Sequence, residues 1–301
     1  MADQSPSYRI GVDLGGTKTE SILLSATGDE LFRKRLPTPR QSGYRAIIEN
    51  IAALVEETRS QIPGNAACTL GLGIPGVLDR ELGTVQNANT TELIDHSLGA
   101  DLEELIGQPI AIENDANCFT MAECRAGAAR GYDLVFGVIM GTGCGGGLFI
   151  NGRVRTGPHG IAGEWGHVSI DPAGPPWWSG IPGPVESKIS GSGVEAAYER
   201  RFGEKRKMQD IVDAYRQGEN KAGEVFRQFL DDYGRALAMI VNILDPDAIV
   251  LGGGLSNIQE LYEEGNRLVR RYAFHRSLRT PILKNQLGDS AGVFGAAWIG
   301  H

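Results

Sequence analysis

Hydrophobic and polar positions in this chain fall into short runs separated by glycines. In Tyr8–Leu14, Ile10, Val12 and Leu14 share one side and Asp13 takes the other, a strand that Gly15-Gly16 stops. The runs TESILLS (19–25) and ELFRKRL (30–36) read as two more strands, with ATGD as the turn between them. From Tyr44 the period changes: Ile47, Ile48, Ile51, Leu54 and Val55 line one face of a helix reaching Ile62. CTLGLGIPG (68–76) reads as a buried strand, and PIAIEND (109–115) as another, followed by a helix from Cys118.

The pattern then restarts. FGVIMGTGCGGGLFINGRV (136–154) gives strand, glycine turn, strand and an Asn151-Gly152 hairpin turn. The segment from Glu224 to Leu244 is helical, and DAIVLGGGLSN (247–257) is a buried strand running into glycines. PILKNQLGDSAGVFGAAWIG (281–300) echoes the strand–acid–helix order of residues 109–124. Two halves of one plan imply a duplicated α/β unit, and a cleft between such halves is a natural nucleotide site.

Composition narrows the classes. The chain has 301 residues, 41% of them hydrophobic, so a sizeable core can form. The net charge of −8 argues against a nucleic-acid or anionic-membrane surface, so any anionic ligand needs local accommodation. The 42 glycines point to tight turns or to backbone that closely approaches a ligand. Cys68, Cys118, Cys124 and Cys144 form no C-x-x-C pair and read as small buried hydrophobes in a reducing compartment. The first residues carry no basic-then-apolar signal, and no apolar run approaches membrane-spanning length, so a soluble cytoplasmic protein is expected.

Several stretches could carry chemistry. DLGGTKT (13–19) sets Gly15 and Gly16 between strands, followed by Thr17, Lys18 and Thr19. This is an anion cradle or a plain hairpin; the spacing is not that of a P-loop. A second such turn at GTGCGGG (141–147) favours the cradle. Asp13 precedes the first turn, where a carboxylate could hold a metal-bound water near phosphates. IENDAN (112–117) ends a strand with a carboxylate beside an amide, which suits a general base or a helix cap. In GEWGH (163–167), Glu164 and His167 stand three apart and could bind sugar hydroxyls, ligate a metal, or serve structure alone. PPWWSGIPGPVES (175–187) is Pro- and Gly-rich like a mobile loop, yet carries adjacent tryptophans with large apolar faces.

The order DLGGTKT, GLGIPG, ENDAN, GTGCGGG, AGEWGH and LDPDAIVLGGG resembles the ROK family of sugar kinases and repressors over nearly the whole chain from Tyr8. The runs LPTP, NANTT, ENDANC and VNILDPDAIVLGGGLSN look most like its fructokinase (mannokinase) branch. The resemblance implies an actin/hexokinase-type α/β fold, with two domains around a nucleotide and sugar cleft. The domains are placed at residues 1–117 with 290–301, and at 118–289. It also implies phosphorylation of a hexose 6-hydroxyl by MgATP, D-fructose first. Glucose, mannose or an N-acetylhexosamine are alternatives within the family.

Asp115 matches the catalytic base, and Asn89, Asn114, Glu164, His167 and Glu186 match sugar contacts. Gly15, Gly16, Thr17 and Lys18 match the first phosphate loop, Gly141, Thr142 and Gly143 the second, and Gly252, Gly253 and Gly254 the turn near adenosine. Asp13 matches the residue near Mg²⁺. The family's structural zinc uses the histidine matched by His167 and three cysteines, which are here Trp177, Ser179 and Pro184. One imidazole and a serine make no zinc site, so the loop is expected to keep its shape without metal, with indole packing filling the space. The resemblance suggests a homodimer. A repressor is disfavoured because only seven residues precede Tyr8 and the charge is negative, and a sugar-binding protein without catalysis is disfavoured by Asp115 and the two phosphate loops.

Overall fold

The computed structural model describes residues 7–300; the signal-free reading of residues 1–6, and residue 301, lie outside them. The strands are β1 (Tyr8–Leu14), β2 (Lys18–Ser25), β3 (Glu30–Pro37), β4 (Cys68–Ile74), β5 (Val77–Leu78), β6 (Val85–Gln86), β7 (Ala111–Asn114), β8 (Leu134–Met140), β9 (Cys144–Ile150), β10 (Arg153–Val154), β11 (Ala248–Gly252) and β12 (Ile282–Lys284). The α-helices are α1 (Gly43–Arg59), α2 (Leu98–Ile106), α3 (Asp115–Ala126), α4 (Val185–Ile189), α5 (Gly191–Phe202), α6 (Met208–Arg216), α7 (Asn220–Leu244), α8 (Glu264–Tyr272) and α9 (Ala291–Ile299). Among the described residues no helix is long and apolar enough to cross a membrane.

The chain divides into two compact units, one of residues 1–130, 152–162 and 287–301, the other of 131–151 and 163–286. The sequence reading drew its line after residue 117, whereas all of α3 lies in the first unit. The reason is packing: a Cβ on Gly295 of α9 would stand 1.7 Å from the Cys118 carbonyl oxygen of α3, so the two helices touch backbone to backbone.

In the first unit the sheet order is β3-β2-β1-β4-β7. β1 pairs antiparallel with β2 and parallel with β4, which pairs parallel with β7. Ile10, Val12 and Leu14 join Ile47, Ile48, Ile51 and Val55 of α1 in one apolar cluster, as the alternation requires. The opposite face is glycine: Cβ atoms on Gly11 and Gly71 would come within 2.4 Å of Val293 O and 1.9 Å of Ala296 O. Their absence lets α9 lie directly on β1 and β4. Part of the glycine excess therefore serves helix-on-strand packing, besides the turns expected from sequence.

The second unit repeats the plan, with strands in the order β9-β8-β11-β12. β8 and β9 form the antiparallel hairpin, and β11 and β12 add parallel strands. Its core collects Phe136, Val138 and Met140 of β8 with Phe226, Phe229, Leu230, Tyr233 and Leu237 of α7. In each unit the first hairpin closes through a three-residue turn, Gly15–Thr17 and Gly141–Gly143.

Candidate active site

In the first unit the register sets Asp13 of β1 beside Gly73 of β4, and Gly73 beside Glu113 of β7. Three strand ends therefore stand abreast, and Asp115 follows two residues beyond the last. The helix read from Cys118 begins at Asp115, because Asn114 caps it: its Oδ1 accepts the Ala116 N–H at 2.8 Å. The cap reading of IENDAN holds at Asn114, and Asp115 is left as an exposed carboxylate at the helix start. Asp115 Oδ1 also accepts from Ala116 N at 2.8 Å, which fixes the side chain locally. Asn114 has a second structural duty, since its Nδ2 donates to Gly76 O at 3.3 Å. The neighbouring Pro75 carbonyl accepts the Asn89 N–H at 2.9 Å, so the GIPG loop holds Asn89 and Asn114 near one another. The Asn89 side chain is exposed.

The Gly15–Thr17 turn is clamped in part by Thr38, which the sequence reading did not single out. Gly15 N–H donates to Lys18 O at 2.9 Å, Thr38 Oγ1 donates to Gly15 O at 2.7 Å, and Thr38 N–H donates to Thr17 O at 3.1 Å. The Asp13 carboxylate sits where Gly73 and Gly292 leave room; a Cβ on Gly292 would come 2.8 Å from Asp13 Oδ2. Burial, then the charges of Asp115 and Glu20, push the Asp13 carboxyl up to about 7, against the pull of Lys18 and Arg35. A half-buried carboxylate facing a second one is short of positive charge, and a divalent cation beside phosphates fits that deficit.

In the second unit, Gly191 N–H at the start of α5 donates to Gly141 O at 2.8 Å, and Ser192 Oγ donates to Thr142 O at 2.6 Å. Gly253 has φ 76°, and a Cβ there would lie 2.4 Å from Met140 O. Glycine is thus required on both counts, and the Gly252–Gly254 turn packs against the base of the Gly141–Gly143 turn. Trp165, buried, donates its indole N–H to Gly145 O at 3.1 Å and ties the GEWGH segment to β9. Glu164 Oε2 lies 3.7 Å from His167 Nε2. Burial raises the Glu164 carboxyl; His167 opposes the shift and Glu186 adds to it.

The tryptophan loop is ordered by its own backbone. Trp177 N–H donates to Ile181 O at 3.0 Å, Gly180 N–H to Trp177 O at 2.8 Å and Gly183 N–H to Pro175 O at 3.1 Å. Both indole N–H groups point at one carboxylate oxygen: Trp177 Nε1 donates to Glu186 Oε1 at 2.8 Å and Trp178 Nε1 at 2.6 Å. Glu186 Oε2 accepts the Cys144 N–H at 3.0 Å, which links Glu186 to the residue after the Gly141–Gly143 turn. Trp178 also sets its ring edge-on to His167, with centroids 5.4 Å apart.

Indole burial is only half of what was expected, because Trp178 is 72% exposed. The pair acts through its N–H groups more than through buried area. Zinc does not fit here: Trp177, Ser179 and Pro184 supply no thiolate beside His167. Among the described residues no group of three or more His, Cys, Asp or Glu is placed to hold a metal ion.

A match to the ROK family covers residues 9–301. The chain belongs to the ROK family. The ROK-family chain is 36% identical over 301 residues to an N-acetyl-D-glucosamine kinase of Vibrio atlanticus, covering 96% of this chain and 98% of that protein. The ROK hexokinase of Thermus thermophilus superposes with a TM-score of 0.88 at 31% identity, covering 97% of each chain. A ROK glucokinase of Streptomyces griseus, solved with glucose and AMPPNP, gives 0.76 at 30% identity over 97% of this chain and 99% of that one. The α/β hexokinase-like fold and the sugar-kinase part of the sequence reading stand on these relatives. The fructokinase branch does not: similar relatives from Vibrio and Yersinia carry the name N-acetyl-D-glucosamine kinase.

Proposed function

We propose that this ROK protein is an ATP-dependent kinase that phosphorylates the 6-hydroxyl of an N-acetylhexosamine, N-acetyl-D-glucosamine before D-fructose. The observation that carries the chemistry is Asp115, an exposed carboxylate at the first turn of α3, directly after the end of β7. Asp115 accepts the proton of the 6-hydroxyl as that oxygen attacks the terminal phosphate, and Asn114 keeps the helix start in place. The names of the relatives support the choice of sugar.

Phosphoryl transfer needs positioning and charge neutralisation rather than covalent help. The Gly15–Thr17 and Gly141–Gly143 turns present backbone to phosphate oxygens, and Lys18 adds charge. The Gly252–Gly254 turn serves the adenosine. Asp13 would hold Mg²⁺, which when bound neutralises phosphate charge. Asn89, Asn114, Glu164, His167 and Glu186 orient the sugar hydroxyls. Glu186 accepts three N–H bonds within the protein, so it meets the sugar as a fixed acceptor.

A coupled assay of ADP release with N-acetylglucosamine, N-acetylmannosamine, glucose, mannose and fructose tests the reading. The highest kcat/KM is expected for N-acetylglucosamine. A higher value for fructose refutes the sugar assignment, and no turnover with any sugar refutes the kinase.

A further inference from the structure

The first unit contains a second feature that the proposed reaction leaves unused, a cavity of about 870 Å³ lined by Arg80, Arg125, Arg153, Arg155, Glu113 and Trp298 among others. Four guanidiniums and one carboxylate line it in a chain whose net charge is −8. The carboxylate is already neutralised: Arg80 donates to Glu113 Oε1 at 2.8 Å and Asn117 Nδ2 to Glu113 Oε2 at 3.2 Å. Arg125 donates to Gly152 O at 2.8 Å and lies 5.8 Å from the Trp298 ring. Arg9 covers the same ring at 4.6 Å, so two like charges crowd one indole. Burial and Arg125 both lower the Arg9 guanidinium from its ordinary value, as expected where positive charge is in excess. Arg153 of β10 and Arg155 just beyond it are both exposed and both line the cavity. Neither guanidinium has a hydrogen-bond or ion-pair partner among the described residues.

We propose that this cavity is a binding site for a phosphate monoester of hexose size, apart from the glycine turns assigned to ATP. The guanidinium forks suit a dianionic phosphate, which can take paired N–H donors from two arginines. Ile112, Met121 and Val154 supply an apolar wall for an organic body, and the volume lies within the usual range for small-molecule sites, about 300–1,000 Å³. Naming the ligand a hexose 6-phosphate rests on the sugar-kinase reading; the anion site itself does not.

The site is wired to the reaction through Arg80. Burial raises the Glu113 carboxyl and Arg80 is the largest opposing influence, so Glu113 depends on that partner. Glu113 is two residues before Asp115. A phosphate that draws Arg80 away leaves Glu113 with the Asn117 amide but no cation, at the strand end that carries the base. Occupancy therefore inhibits, and by linkage the bound substrates weaken the phosphate.

Isothermal titration calorimetry on the full chain tests this, with N-acetylglucosamine 6-phosphate and inorganic phosphate titrated in the presence of saturating N-acetylglucosamine and AMPPNP. Binding is expected for wild type, about tenfold or more weaker for Arg153→Ala/Arg155→Ala, and partly restored in Arg153→Lys/Arg155→Lys. The Ala pair should keep kcat and both KM values. Tighter binding of the sugar phosphate assigns that ligand, and equal binding assigns free phosphate; both support the site. Identical affinity in wild type and the Ala pair, or no heat with millimolar ligand, overturns it. In kinetics, added N-acetylglucosamine 6-phosphate should lower kcat in wild type and much less in the Ala pair. Purely competitive inhibition, equal in both proteins, overturns the coupling. Loss of the kinase reading would appear as absent turnover and leave the wild-type against Ala-pair calorimetry to decide.

Discussion

Trp177→Phe is the most informative single change in the tryptophan loop. It keeps an aromatic ring of similar reach and deletes one N–H donor, so it separates the hydrogen bond to Glu186 from packing. A hydrogen bond to a charged group contributes about 1.5–3 kcal/mol net when shielded from water. Trp177 is half-buried, and its Nε1 lies 2.8 Å from Glu186 Oε1, so about 1.5–2 kcal/mol is expected. Trp178→Phe removes a bond of similar length from a side chain that is 72% exposed, where water competes, and should cost less than about 1 kcal/mol. The Cys144 N–H still holds Oε2, so Glu186 should loosen rather than leave. Loosening should appear as a raised sugar KM, about tenfold if 1.4 kcal/mol of positioning is lost, with a smaller change in kcat. Urea unfolding and steady-state kinetics on the same preparations measure both terms. If Trp177→Phe matches wild type in stability and in sugar KM, the indole N–H groups do not hold Glu186. If Trp178→Phe costs more than Trp177→Phe, the weighting by exposure is wrong.

Asp115→Asn should keep the fold and lower kcat by about 10²–10⁴, and a near wild-type kcat in purified protein rejects it as the base. Prolonged chelation of divalent transition metals should leave the melting temperature unchanged, because the tryptophan loop is closed by backbone and indole bonds; one tightly bound zinc per chain by elemental analysis contradicts this. Gly295→Ala puts a Cβ 1.7 Å from Cys118 O and should destabilise by about 3 kcal/mol or more, read by urea midpoint, since neither helix backbone can yield easily. Burial pushes the Asp232 carboxyl up to about 6, with Lys188 and the Gln228 hydrogen bond opposing. The native state therefore holds this proton more tightly than the unfolded chain, and that contribution fades as pH rises from about 4 through about 6. Asp232→Asn should gain stability relative to wild type between pH 4 and pH 7, and a difference that is the same at both ends rejects the shift.

Period and punctuation alone determined much of this protein. The alternation in Tyr8–Leu14 and the helical stripe from Ile47 to Val55 place β1 and α1, because one side of each must be buried. The repeated glycine turns after β1 and β8 reveal the duplicated plan, since the same hairpin chemistry recurs at the same point in each half. That residues 175–187 offer no thiolate is equally plain, because they contain no cysteine.

Other features depend on residues far apart in sequence. That Gly11, Gly71 and Gly295 are packing surfaces rather than turns follows only from where α9 lies. The start of α3 at Asp115, three residues before the reading from sequence, follows from the Asn114 cap, which a strand pattern running through residue 115 conceals. Clamping of the Gly15–Thr17 turn by Thr38 joins positions 23 apart, and the Arg80–Glu113 pair joins positions 33 apart. The sequence shows two adjacent tryptophans in a loop and a glutamate after it. Only the folded chain aims both indole N–H groups at Glu186, because that convergence depends on the backbone bonds that close the loop.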